Sequence, residues 1–353
     1  MAVTNGTEFK TAYGSLDPTL LMIDLNLGGE DGIQLLRYLD QQKCTAPIIL
    51  ISGFDEKVLT TAMLLGESYG LKIVETLHKP VKVAMFNEIL HKYQHTAPVI
   101  NEASLGEAIA NDEFILFYQP QISLGDNKPI GVEALVRWQP PQQAMIFPDQ
   151  FIPQMEQGGL IKPLTEKVIR SALQQAADWK KQNIILEVSI NISAKYLDDI
   201  DIPDRFGDLV KEYGLDPSQI CWEITESAVA DKPKLIMDIL TRLRLKNFNL
   251  SMDDFGTGYS SLVALHRMPF SQIKIDKSFI LRIEKDPALQ ILTHHLMNLF
   301  RDLHIETVAE GVETNLALKI LEENACDIGQ GYHFSKAISP PQLEEWLKKF
   351  TGK

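Results

Sequence analysis

Cysteine is scarce in this chain. Cys44, Cys221 and Cys326 are the three among 353 residues, and none forms a C-x-x-C pair. An odd number this widely spaced fits reduced thiols in a cytosolic protein rather than a disulfide framework. Long apolar runs are missing too: none reaches the ~18 residues that a membrane-crossing helix needs. The first residues lack the charged-then-apolar pattern of a secretion signal. Positive charge is in deficit, with 34 Lys and Arg against 47 Asp and Glu and a net charge of −13. Sequence-independent binding to nucleic acid requires a basic face, so that class is excluded. A small anionic substrate stays compatible with the acidic balance if metal ions invert the local charge. The eight histidines show no metal-ligand spacing, and no Ser-His-Asp order, Walker loop or G-x-G-x-x-G stands out. These absences describe a soluble, cytoplasmic protein with neither nucleic acid nor a membrane as partner.

What is present suffices for two domains, since 353 residues with 45% hydrophobic content can fill two cores. Residues 1–15 are polar, although Phe9, Thr11 and Tyr13 alternate as along a short strand. Leu20-Leu21-Met22-Ile23-Asp24 is a buried-type strand ending in an acid, followed by Gly28, Gly29 and Gly32 and a helical pattern over 33–39. Residues 47–53 and 73–80 form two further strands, each leading into a helical segment, 58–65 and 82–93. Strands alternating with helices imply a parallel sheet. Asp24, Ser52 and Lys79 all fall at strand C-termini, where open α/β sheets keep their sites.

These residues resemble a response-regulator receiver domain, with Asp24 in the place of the phosphoacceptor and Ser52 and Lys79 as its contacts. The resemblance implies a histidine kinase as partner. It covers residues 1–93 and is incomplete. A receiver carries a first strand, an acidic pair for Mg²⁺ and a helix ahead of this point, and no adjacent acidic pair precedes Asp24 here. In the doubly wound order 2-1-3-4-5 that first strand is central. Asp24 is therefore expected to accept phosphate poorly, and Phe9–Tyr13 to pair directly beside the strand ending at Asp24. Residues 94–101, with Pro98, read as a linker.

From 102 to 353 a different pattern holds. Strand candidates lie at 114–119, 132–138, 186–191, 220–225, 250–253, 273–276, 307–310 and 328–334. Helical segments over 164–179, 232–246, 288–303 and 315–323 separate most of them. Eight strands in ~250 residues indicate a (β/α)₈ barrel of the TIM type. A short Gly125-Asp126-Asn127 turn joins the first two strands. That pair is expected to be antiparallel and the barrel modified at its start.

Acids gather at the strand ends: Glu133, Glu223, Glu226, Asp253, Asp254, Asp276, Glu310 and Glu313. Gln119, Arg137, Asn191, Lys274 and Gln330 stand among them. Neighbouring strand residues point to opposite faces, so two useful aspartates in a row, Asp253-Asp254, imply a strand just ending. The glycines at 256 and 258 then turn the chain. Two carboxylates ~4 Å apart repel by about 4 kcal/mol at an effective dielectric near 20, and a multivalent cation relieves that. The plainer alternative is an acidic turn with Asp254 capping a helix. Five or more converging acids outweigh it, because such buried charge is prohibitive without cations. Oxygen donors without His or Cys select Mg²⁺ or Mn²⁺ over Zn²⁺. Two such ions bridged by one carboxylate activate water against a phosphate ester, and Asp253 is the candidate bridge. Arg137 offers a fork of donors for phosphate.

Glu133-Ala134-Leu135-Val136-Arg137-Trp138 resembles the signature of the EAL-domain family. So do Tyr118-Gln119-Pro120, Asn191-Ile192-Ser193, Glu223-Ile224-Thr225-Glu226-Ser227, Asp253-Asp254-Phe255-Gly256-Thr257-Gly258, Lys274-Ile275-Asp276, Ala309-Glu310-Gly311-Val312-Glu313 and Gln330-Gly331-Tyr332. The family hydrolyses cyclic di-GMP to linear pGpG on a modified barrel with two Mg²⁺ or Mn²⁺. By that resemblance Glu133, Asn191, Glu223 and Asp253 hold one ion, and Asp253 and Asp254 the other, with Glu310 nearby. Lys274 acts on the attacking water. Glu226 braces the loop 254–260, through which the barrel pairs as a homodimer. Gln119, Leu135, Arg137, Asp276, Glu313 and Gln330 contact substrate. A catalytically silent receptor of cyclic di-GMP is the alternative; a lost metal ligand or loop glycine would mark one, and both are intact here. Apart from the resemblance, a two-metal barrel enzyme acting on another phosphate ester satisfies the same residues.

Overall fold

The structure is a computed structural model. It describes residues 3–13, 18, 20–27, 30–42, 44, 46–53, 56–79, 81, 100–141, 143–226, 228, 232–256 and 267–350. The expected helix over 82–93, Pro98 and loop residues 257–260 lie outside the described residues. The chain divides into two compact units, Met1–Val99 and Ile100–Lys353.

In the first unit β1 (Leu21–Asp24) leads into a short antiparallel pair, β2 (Asn26–Leu27) and β3 (Glu30–Asp31). The helix Gly32–Gln41 follows at once. Asp31 caps it by accepting from the backbone of Gln34 at 2.8 Å. Gly32 allows the helix to start hard against β1, since a Cβ there would lie 2.8 Å from the Cα of Leu25. β4 (Ile48–Ser52), the helix Glu56–Ser68 and β5 (Ile73–His78) complete a parallel sheet in the order β1-β4-β5. Leu35, Leu36, Leu39, Ile48 and Leu50 are its fully buried centre. Asp24 and Ser52 end β1 and β4, and Lys79 follows β5, as their positions in the sequence imply.

The strand expected at Phe9–Tyr13 is corrected to a helix, Gly6–Tyr13. Phe9 and Tyr13 are four residues apart and stack with ring centroids 6.1 Å apart, which is the spacing of one helical face. Both pack on the cluster that contains Leu21 and Leu35. A two-residue and a four-residue period coincide at these positions, and the packing chose the latter. β4 is the only strand paired with β1 among the described residues.

The second unit opens with the helix Glu102–Ala110, capped reciprocally by Asn101 and Ser104. Then come β6 (Phe114–Ser123), β7 (Lys128–Trp138), β8 (Glu187–Asn191), β9 (Ile220–Thr225), β10 (Asn249–Phe255), β11 (Gln272–Ile275), β12 (Glu306–Glu310) and β13 (Ile328–Gln330). They close a barrel in the order β10-β11-β12-β13-β6-β7-β8-β9. β6 runs antiparallel to both its neighbours, β7 and β13, and every other pair is parallel. The early modification of the barrel is thus one reversed strand. The last strand is shorter than expected and stops at Gln330.

Alternation along β9 shows how the barrel sorts its residues. Trp222 and Ile224 belong to the core shared with the helices, Trp222 lying 4.2 Å from the ring of Phe206 on the helix Ile202–Glu212. Glu223, on the opposite face, points into the barrel and is buried. Glu133, Asn191, Asp253 and Lys274 occupy equivalent faces of β7, β8, β10 and β11, so the periodicity that packs the helices also delivers the polar set inward.

Candidate active site

The site is built around one ammonium group. Lys274 is fully buried on β11. Its Nζ lies 2.7 Å from Glu310, 2.9 Å from Glu223, and 3.2 Å from both Glu133 and Asp253. Burial alone would lower the Lys274 ammonium, but these carboxylates hold it well above its ordinary range. One positive charge faces four negative ones. The imbalance shows in the acids. Burial, with Glu133 close by, pushes Glu223 well above the usual carboxylate range. Burial raises Glu310 to about 7. Glu133 behaves differently: burial pushes it up, but Lys274, Gln330 and Asn191 outweigh that and hold it below its ordinary value.

A β-bulge places the acidic pair. Met252 pairs with Ile273 and Phe255 with Ile275, so Asp253 and Asp254 together oppose the single residue Lys274. Two residues against one lets the strand turn both carboxylates toward one side. Asp254 takes the strained, left-handed φ of 57°. The strand does not end at Asp253, as expected; it continues to Phe255, and the bulge does what a strand end was expected to do. Asp254 lies inside β10 rather than at a helix cap. Oxygens of Asp253, Asp254 and Glu310 all fall within 4.8 Å of one another.

The residues fit divalent cations. Among the described residues, Oε1 of Glu223 and Oδ1 of Asp253 are buried without a hydrogen bond. Lys274 offers charge to the latter, without hydrogen-bond alignment. A buried carboxylate oxygen facing an excess of negative charge is a ligand in want of a cation, and the donor set is entirely oxygen, suited to hard ions.

Amides fix the flank of the cluster. Asn191 donates to Oε1 of Glu133 at 2.8 Å and Gln330 to Oε2 at 2.5 Å. Gln330 also donates to Gln119 at 3.1 Å, while Gln119 donates to the carbonyl of Ser335 at 3.1 Å. The sequence reading missed Gln121, which is buried and donates to Gln330 at 3.1 Å. Its signal was its place two residues beyond Gln119 on the same strand face. Leu135 and Arg137 extend the face of Glu133 along β7. Arg137 is mostly buried, and no described carboxylate forms an ion pair with it.

Three expected residues lie apart from the cluster. Glu226 is buried and accepts from the backbone N–H of Gly256 at 3.2 Å, beside the bulge rather than at Lys274. Asp276 caps the short helix Lys277–Ile280 by accepting from Ser278 at 2.9 Å, although its charge helps to raise Asp254 after burial and Asp253. Glu313 is exposed. In the first unit Lys79 pairs with Asp24, and the N–H of Lys79 donates to the carbonyl of Ser52 at 2.8 Å.

Comparison with known proteins agrees with this geometry. Residues 102–337 match the EAL domain model and residues 1–91 the response regulator receiver domain. A cyclic di-GMP phosphodiesterase of Pseudomonas aeruginosa is 36% identical over 267 residues, 75% of this chain and 45% of that protein. Another from that species, RocR, is 29% identical over 329 residues, 90% of this chain and 84% of its own length. The chain spans less than half the length of several curated relatives, 45%, 38% and 46% in three of them. The PaMucR phosphodiesterase, solved in complex with c-di-GMP, superposes with a TM-score of 0.65 at 33% identity, covering 68% of this chain and 98% of that one. No helix among the described residues is long and apolar enough to cross a membrane. With most of its length matched in order and an acid-lined barrel to match, the chain belongs to the EAL domain family.

Proposed function

We propose that this chain hydrolyses one phosphodiester bond of cyclic di-GMP, giving linear pGpG, with two Mg²⁺ or Mn²⁺ ions. The observation that carries the reading is the excess of buried carboxylate around Lys274, four acids on one ammonium. A phosphodiester cannot approach such a cluster until cations neutralise it. The printed activities of the similar phosphodiesterases support cyclic di-GMP as the substrate.

When bound, the ions would supply Lewis acidity and a more acidic water. Glu133, Asn191, Glu223 and Asp253 are the residues to hold one of them, Asp253 and Asp254 the other, with Glu310 beside both. Lys274, as an ammonium, and Glu310 would orient the water, and the Glu310 carboxylate would receive its proton as its oxygen bonds to phosphorus. The P–O bond to the leaving 3′ oxygen breaks, and that oxygen takes up a proton. Arg137, Gln119 and Gln330 would contact the substrate, together with Leu135, which lies between Glu133 and Arg137 on β7. Asp276 and Glu313 are assigned to substrate contact as well. Glu226 acts at a distance by holding Gly256.

In the first unit Asp24 takes the phosphoacceptor's place, with Ser52 and Lys79 as its contacts and a histidine kinase as the proposed donor, and its uptake of phosphate is proposed to be poor. A homodimer through the barrel near the loop 254–260, and a cytoplasmic location, complete the reading. The test is incubation of the purified chain with cyclic di-GMP and Mg²⁺, with chromatography of the product. We expect pGpG, no product in EDTA, and recovery with Mg²⁺ or Mn²⁺. Tight binding without turnover would establish the silent receptor instead, and full turnover without metal would remove the two-metal mechanism.

A further inference from the structure

Phe147 breaks a local rule at the mouth of the barrel. It is the N-cap residue of the helix Pro148–Gln157, and its side chain makes no capping hydrogen bond. Ser, Thr, Asp and Asn are preferred there because their oxygens satisfy the first N–H groups. Phenylalanine forgoes that. Nor does its ring join the core, for Phe147 is 51% exposed while its neighbour Ile146 is 4% exposed. A large apolar side chain that neither caps nor packs is the kind of local inconsistency that marks functional positions.

The backbone holds the ring in one place. Trp138 and Ile146 exchange backbone hydrogen bonds of 3.1 and 2.8 Å, closing the loop after β7. The indole of Trp138 is in turn tied to Glu113 at 2.8 Å. The proline at 148 confines Phe147 to extended backbone, observed at φ −90° and ψ 156°. In that position the ring lies over the guanidinium of Arg137, with Cζ 5.0 Å from the ring centroid. This is a cation–π arrangement.

Arg137 is only 8% exposed. Among the described residues its one hydrogen bond is to the carbonyl of Val136, at 2.8 Å, and no carboxylate pairs with it. A guanidinium carries five N–H donors in one plane. With one face covered by Phe147, its edge keeps donors for an anion arriving from the mouth. The exposed side of the Phe147 ring then stands beside that anion.

We infer that Phe147 is a specificity-determining residue: its ring fixes the Arg137 guanidinium on one side and receives a purine base of the substrate by stacking on the exposed side. This rests on the cyclic di-GMP reading and assigns a part of its recognition to a position outside the family motifs. Base–aromatic stacking tolerates any ring with a π face, so the position should accept Tyr or Trp and reject aliphatic residues.

The experiment compares wild type with Phe147→Ala, Phe147→Leu, Phe147→Tyr and Phe147→Trp on cyclic di-GMP and Mg²⁺. Phe147→Ala and Phe147→Leu should each lower kcat/KM about tenfold, nearly all through KM, equivalent to about 1.4 kcal/mol of binding. Phe147→Tyr and Phe147→Trp should stay within about twofold of wild type. A cyclic dinucleotide bearing 2-aminopurine, mixed rapidly and read before turnover, should show quenched emission with wild type and Phe147→Trp but not with Phe147→Ala. Turnover by wild type with an unchanged KM in Phe147→Ala, or equal effects of Leu and Trp, overturns the inference alone. Wild type that neither hydrolyses nor binds cyclic di-GMP overturns the functional reading and this inference with it.

Discussion

The backbone N–H of Gly256 donates to Oε2 of Glu226 at 3.2 Å. On its other side a Cβ at Gly256 would lie 2.5 Å from the ring of Phe279, and φ there is 101°. The residue just past the Asp253–Asp254 bulge is therefore held from two directions, by a carboxylate and by a ring.

Glu226→Ala should loosen that hold. Removing a buried charged acceptor costs about 1.5–3 kcal/mol, and the loss should appear as weaker activation by metal as well as lower stability. Gly256→Ala should be worse, since both its φ and its clash with Phe279 oppose a side chain. In a Phe279→Leu background the same change should cost less, because the ring is gone. Measured unfolding free energies that simply add across this cycle would show that the ring does not constrain Gly256.

Lys274 and Glu133 should separate kinetically. Lys274→Ala should lower kcat about a hundredfold or more with little change in KM, because the ammonium acts on charge that develops in the transition state. Glu133→Ala removes a carboxylate that Asn191 and Gln330 hold in place, so it should weaken metal activation and KM together. Steady-state kinetics at several Mg²⁺ concentrations distinguishes the two. A rise in KM alone for Lys274→Ala would remove the role assigned to it.

A pH effect should arise at Glu187 on β8. Burial pushes its carboxyl from 4.5 to about 7; Asn249 works against the rise and Glu306 adds to it. Asn249 donates to it at 2.5 Å. Between those values the folded chain binds more protons than the unfolded one, so this contribution to stability is whole below pH 4.5 and lost as pH rises through about 7. Relative to Glu187→Gln, wild type should lose on the order of 3 kcal/mol between pH 4 and pH 8. Urea unfolding of both proteins across that range reads it, and a difference independent of pH would contradict the burial argument.

Asp24 should take up phosphate poorly. Lys79 pairs with its carboxylate and the N–H of Asn26 donates to it at 3.0 Å, so that carboxylate and the nearby ammonium already engage each other. Phosphoryl transfer to a carboxylate needs a cation against the incoming charge. Treatment with acetyl phosphate and Mg²⁺, followed by mass spectrometry and a rate assay, should show little modification and no change in turnover. Stoichiometric phosphorylation with a several-fold change in rate would show a working switch.

Much of this molecule is legible from its residues alone. Alternation of strand and helix patterns specifies a parallel sheet and a barrel, because side-chain periodicity is a local property and burial enforces it. The barrel rim then gathers whatever stands at strand ends, so Glu133, Asn191, Glu223, Asp253, Lys274 and Glu310 were visible as a set. The reversed strand β6 was visible too, since a turn as short as 125–127 leaves no room for a crossover.

Other features belong to the tertiary structure. Phe9 and Tyr13 satisfy both a strand and a helix period, and only the cluster around Leu21 and Leu35 distinguishes them. The bulge at Asp253–Asp254 is a relation between β10 and β11, so neither strand's sequence contains it. Lys274 becomes the centre of four carboxylates because strand register sets which side chains share a height in the barrel. Gln121 and Phe147 gain their partners in the same way, across strands and loops. Residue type is written along the chain, but the neighbours that give it a charge environment are chosen by pairing and packing between distant segments.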